Sequence, residues 1–102
     1  MPDSPHEAVF QVLSQIPEGK VLTYGALASL AGLGQAARFV GSTLRKLPSD
    51  TQLPWHRVIN SQGAISLPTN HPGFRLQKNR LIEEGVVFKG PKVDLKTFHW
   101  HP

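Results

Sequence analysis

From Ser4 to Ile16 the apolar residues Val9, Val12, Leu13 and Ile16 follow the i, i+3, i+4, i+7 spacing of a helix that buries one stripe. Ser4, Pro5 and Glu7 supply an N-cap hydroxyl, a first-turn proline and a capping-box acid, and Pro17 stops the helix. The next residues, "GKVLT" (19–23), form a short extended segment. Thr23 is placed to cap a second helix from Tyr24 to about Ala31, which the Gly32–Gly34 region ends. A third helix is expected from about Gln35 to Lys46, with Ala37, Val40, Gly41 and Leu44 on its apolar side and Arg38, Ser42 and Arg45 opposite. Two short helices across a glycine turn, the second with a basic stripe, read as a helix-turn-helix.

Beyond Pro48 the pattern changes. "HRVI" (56–59), "NSQG" (60–63) and "AIS" (64–66) place extended segments around a glycine-containing turn, which predicts a hairpin or wing. "LPTNHPG" (67–73) is dense in turn residues and reads as a loop. A last helix is expected near Phe74 to Glu84, stopped by Gly85, and "VVF" (86–88) and "VDLKTF" (93–98) read as short tail strands. The fold class that follows is mainly α with a small β-hairpin: a single winged helix-turn-helix domain over residues 1–102.

Composition narrows the function. At 102 residues the chain has the length for one modest core. Eleven Lys plus Arg against seven Asp plus Glu give a formal charge of +4, which favours an anionic partner, nucleic acid first. There is no cysteine, so disulfides, thiolate metal sites and cysteine nucleophiles are excluded together. His6, His71, His99 and His101 lack metal-ligand spacing, and neither metal nor cofactor is expected. No apolar run approaches the roughly 18 residues of a membrane span, and the first residues lack the pattern of a secretory signal. A soluble, cytoplasmic protein with no membrane partner is the expectation.

The most informative stretch is "LPWHRVIN" (53–60), where Trp55 stands between a rigid proline and a possible general base. Together with "IPEGKVLTYGALASLAG", "AARFVGSTLRK", "PWHRVINSQGAIS" and "RLIEEGV", in that order and spacing, it resembles the carboxy-terminal domain of the O6-alkylguanine-DNA alkyltransferases. In that family the alkyl-accepting cysteine lies between the proline and the His-Arg-Val run. Tryptophan at this position is similar to the alkyltransferase-like proteins, which bind the same lesions without repairing them. An indole has no lone pair comparable to a thiolate, so the family's suicidal alkyl transfer is closed to this chain.

The resemblance implies specific tasks. Trp55 would line a lesion pocket with a flat apolar face, together with Tyr24, Pro54, His56 and Glu84. Tyr24 would crowd the phosphate of the target nucleotide and promote its rotation. His56 and Glu84 match the proton relay that activates the thiol and, with no thiol, would serve pocket structure; Arg57 would tie the site strand to its surroundings. Arg38 matches the finger that fills the space left by a flipped nucleotide, beside Ala36 and Ala37, which let the helix backbone approach DNA. Thr23, Ser42 and Arg45 complete the expected DNA surface, docked in the minor groove. The partners implied are double-stranded DNA containing O6-alkylguanine and nucleotide excision repair proteins; the protein would be a monomer, nucleoid-associated in a bacterium. Leu47–Pro48 replaces the family's Asn-Pro hinge and "LPTNHPG" replaces its glycine-rich loop, leaving Arg75 just beyond an altered rim.

Two rivals come from other classes. A winged-helix transcription regulator would read undamaged bases with Arg38, Ser42 and Arg45 in the major groove. An enzyme would use His56 and Glu84 to activate water.

Overall fold

The structure, a computed structural model, describes residues 3–102. Helix α1 (Pro5–Gln15) starts where the sequence places it: the Ser4 hydroxyl accepts the Glu7 N–H and Pro5 occupies the first turn. Strand β1 (Leu22–Thr23) leads directly into α2 (Tyr24–Leu30), capped by the Thr23 hydroxyl, which accepts the Ala26 N–H at 3.2 Å. Gly32 and Gly34 take positive φ angles of 77° and 65° in the turn before α3 (Ala37–Arg45), a conformation open to glycine at little cost. The α2–turn–α3 unit is the expected helix-turn-helix. A single 3₁₀ turn (Trp55–Arg57) then precedes β2 (Val58–Ile59), α4 (Pro72–Glu83), β3 (Phe88–Lys89), β4 (Lys92–Val93) and α5 (Leu95–Phe98).

Strands β1 and β2 pair in parallel, Leu22 opposite Val58 and Thr23 opposite Ile59, and they divide the core. Leu22 and Val58 join Val9 and Leu13 of α1, Ile16 just after it, Leu27 and Ala28 of α2 and Val40 of α3 in one cluster. Val21 and Ile59 join Leu81, Val86 and Val93 in a second. Alternation of side chains along the strand makes this division, because neighbouring residues point to opposite faces. The tail closes over β1: Phe98 O accepts from Val21 N at 2.9 Å, Trp100 N donates to Val21 O at 2.8 Å, and Trp100 packs against the first cluster.

Three elements differ from expectation. The hairpin is at β3–β4, where Phe88 faces Val93 and Lys89 faces Lys92 in antiparallel register, rather than at 56–66. The Asn60–Gly63 turn does form, but the Asn60 side-chain oxygen accepts the N–H groups of Gln62 and Ala64. Ala64 bridges instead to Lys92, and among the described residues β2 pairs with β1 alone. Helix α4 begins at Pro72, two residues before Phe74, because His71 caps it and proline suits the first helical position. In "VDLKTF" only Val93 is in a strand; Asp94 accepts from Lys96 N and Thr97 Oγ1 and starts the short α5.

Candidate nucleic-acid interface

A cavity of about 430 Å³ opens between the helix-turn-helix and α4, a size within the usual range for binding pockets. Tyr24 enters it from the first turn of α2, Gly41, Leu44 and Arg45 from α3, Leu47, Pro48, Ser49 and Thr51 from the loop after α3, and Trp55 from the 3₁₀ turn. Ser66, Leu67 and His71, with Gly73, Leu76 and Gln77 of α4, close the other side. Tyr24 Oη and Ser66 Oγ share a hydrogen bond of 2.7 Å, which ties the start of α2 to the rim loop. Gln77 is buried, and its Nε2 donates to His56 O at 3.2 Å and Val58 O at 2.9 Å, so the helix holds the Trp55–Ile59 backbone in place. The Trp55 ring is half-buried: the Arg80 guanidinium lies 5.6 Å from its centroid and the His56 ring meets it edge-on at 6.2 Å.

His56, Arg57 and Glu84 form a second, polar constellation. Arg57 donates to Glu84 through Nε (3.0 and 3.2 Å) and Nη2 (2.8 Å), and through Nη1 to Ile16 O at 2.7 Å. Gly19 N donates to Glu84 Oε1 at 3.2 Å, and His56 Nε2 lies 2.7 Å from Glu84 Oε2. Burial pushes the Glu84 carboxyl up, but the Arg57 fork, the His56 hydrogen bond and the Gly19 N–H outweigh it and hold the pKa at about 2. Burial also pushes the His56 pKa down, further than the bond to Glu84 raises it. The imidazole is therefore neutral near pH 7, donating from Nε2 to the carboxylate and leaving a bare Nδ1 that is buried without a hydrogen-bond partner.

The structure separates residues that the sequence grouped together. Tyr24 and Trp55 line the cavity, whereas Pro54, His56 and Glu84 line a neighbouring polar cleft of about 650 Å³ with Glu18, Arg57, Arg80 and Glu83. On α3 Arg38 and Arg45 are exposed, while Ala37 and Ser42, with Ala36 at the helix cap, are partly so, and Arg45 reaches the cavity wall as well as the helix surface. The helix buries Val40 and Thr43, and Ala36 packs against the first core cluster. The Thr23 hydroxyl is committed to capping α2. Arg75 is exposed and lines neither opening. Sequence reasoning gave no site role to Gln77, Arg80, His71 or Ser66. The hydrophobic pattern carries no signal for a buried glutamine, and the "HP" pair at 71–72 was the available mark of a capped helix start beside the pocket. Among the described residues no group of three or more His, Asp or Glu could hold a metal ion, and no helix is long and apolar enough to cross a membrane.

Comparison with known proteins agrees with this geometry. Residues 4–86 match the family described as "6-O-methylguanine DNA methyltransferase, DNA binding domain". The chain is 45% identical over 100 residues to a DNA base-flipping protein of Escherichia coli, covering 97% of this chain and 76% of that one. It is 40% identical to alkyltransferase-like protein 1 of Schizosaccharomyces pombe, covering 98% and 97% of the two chains. The crystal structure of the Schizosaccharomyces pombe protein in complex with damaged DNA containing O6-carboxymethylguanine superposes with a TM-score of 0.86 at 38% identity, over 100% of this chain and 99% of that one. With the helix-turn-helix, the cavity and a tryptophan at the acceptor position all in place, the chain belongs to the 6-O-methylguanine DNA methyltransferase DNA-binding family, as one of its alkyltransferase-like members.

Proposed function

We propose that this protein binds O6-alkylguanine in duplex DNA, holds the flipped base in the cavity beside Tyr24 and Trp55, and leaves the alkyl group where it found it. The observation that carries this reading is the cavity itself, with an indole where the family's repair enzymes have their thiol and no cysteine anywhere in the chain. Extruding a base costs a few kcal/mol of stacking and pairing. The Trp55 ring and the leucines at 44, 47, 67 and 76 return part of that by enclosing the base, and Arg38, exposed on α3, fills the gap in the duplex. Tyr24 stands at the cavity edge, where it meets the phosphate of the rotating nucleotide. The minor-groove face is α3, with Ala36, Ala37, Ser42 and Arg45. Because such a protein acts by affinity and persistence, its complex serves as a signal, and nucleotide excision repair is the class of partner that would read it.

The rival transcription regulator predicts selectivity among undamaged sequences, whereas this reading predicts selectivity for the lesion. Titrating otherwise identical duplexes with guanine or O6-methylguanine at one fixed salt concentration decides between them. Equal affinity for the two duplexes, with strong dependence on surrounding sequence, would favour the regulator.

A further inference from the structure

His71 belongs to the cavity wall and is exposed. It caps α4, its Nδ1 accepting the Gly73 N–H at 2.9 Å. An imidazole nitrogen that accepts a hydrogen bond carries no proton, so the cap fixes the tautomer and places the ring's proton on Nε2. No protein hydrogen bond engages that Nε2 among the described residues. Gly73 permits the close fit: a Cβ there would lie 3.0 Å from Leu67 Cδ1 and 3.2 Å from His71 Nδ1.

The rest of the wall sharpens the assignment. Gln77, on the helix that His71 caps, is buried, whereas His71 is exposed and therefore at the rim. The apolar wall of Trp55, Leu44, Leu47 and Leu67 suits the base, so the rim donor meets whatever extends past the ring. Arg45 adds a positive charge to the lining, which among the described residues contains no Asp or Glu. A donor and a cation without a carboxylate suit an adduct that carries oxygen.

We propose that His71 reads the alkyl group itself, so that O6 adducts bearing a hydrogen-bond acceptor, hydroxyalkyl and carboxyalkyl groups, bind more tightly than apolar adducts of equal size. This rests on the lesion-binding reading and names the substrate class within it. The test uses a neutral pair with the same number of heavy atoms, O6-(2-hydroxyethyl)guanine and O6-propylguanine, in identical duplexes alongside guanine. The neutral pair removes the charge attraction of Arg45 and isolates the hydrogen bond. Wild-type protein should prefer the hydroxyethyl duplex by about three- to tenfold, the worth of one neutral hydrogen bond. His71→Ser keeps an oxygen to cap α4 but loses the long-reaching donor. It should bring the ratio close to one while retaining preference for O6-propylguanine over guanine, with circular dichroism confirming intact helix. His71→Phe, which keeps the ring but not the cap, should give the same ratio. A wild-type ratio near one, a ratio unchanged in both variants, or an equal loss for every adduct would overturn the inference, the last by making His71 a contact to the guanine. Failure of wild-type protein to prefer any alkylated duplex over guanine would instead sink the lesion-binding reading beneath it.

Discussion

The two openings on either side of Trp55 differ in what their side chains are free to do. In the polar cleft Arg57, His56 and Gly19 all donate to one carboxylate, and the bonds close on one another. In the cavity most of the lining is apolar, and its hydrogen-bonded side chains, Tyr24, Thr51, Ser66, His71 and Gln77, are each tied to the protein through one atom rather than joined to one another in a network around a single charge. The same His–Glu pair that the resemblance assigns to thiol activation is here a structural clamp between the 3₁₀ turn, the end of α4 and the segment after α1. With no thiol beside it, that pair serves as architecture, and the proposed recognition lies on the other side of the tryptophan.

That contrast can be broken most strongly at Glu84. Glu84→Ala leaves the Arg57 guanidinium, part-buried at Ile16 O, without its partner, and should cost about 3 kcal/mol of stability in denaturant unfolding. The fraction that remains folded should keep its lesion preference; loss of that preference would mean the two openings are not independent. Acid should act on the same clamp. Burial makes folded His56 resist a proton that the unfolded chain accepts, so stability falls as pH drops below the ordinary value of 6.5. Glu84 adds a second loss that begins below its ordinary value of 4.5 and continues toward its folded value of about 2. Unfolding measured across this range should lose the lower step in Glu84→Gln, and a lower step of unchanged size there would assign it to other carboxylates.

Substitutions in the base cavity should have the opposite signature. Trp55→Ala removes one stacking face, worth about 2 kcal/mol, and should weaken binding to O6-methylguanine duplex about 30-fold with little change on undamaged DNA. An equal loss on both duplexes would place Trp55 outside the base pocket. The smallest effect is expected at Arg38. Arg38→Ala should lower affinity for lesion DNA about fivefold more than for undamaged DNA, and Arg38→Lys should restore the undamaged affinity but not the lesion preference. If lysine restores both, Arg38 is a phosphate contact.

Much of this arrangement was legible in the chain. The capping hydroxyls of Ser4 and Thr23 and the breaking glycines at 32 and 34 are local signals, and they placed α1, α2 and α3 within about two residues. Trp55 was marked by its setting in "PWHRV", and Tyr24 by "TYG". What stayed hidden depended on long-range pairing. Val58 and Ile59 have the extended pattern of any strand, and nothing local says that the partner is Leu22–Thr23 in parallel rather than Ala64–Ser66 in a hairpin. For the same reason the split between the two openings could not be read: Pro54, Trp55 and His56 are adjacent in sequence, and only the 3₁₀ turn sends their side chains to different sides. Gln77 escaped notice because its two acceptors are backbone carbonyls about twenty residues away.

The most direct test of binding without chemistry is the fate of the alkyl group. A duplex with one O6-methylguanine is held with an excess of protein until binding is complete, then both components are recovered and weighed by mass spectrometry. Recognition alone predicts that every methyl group remains on the DNA and that the protein mass is unchanged, and a methyl group lost from the guanine, to the protein or to water, would contradict it.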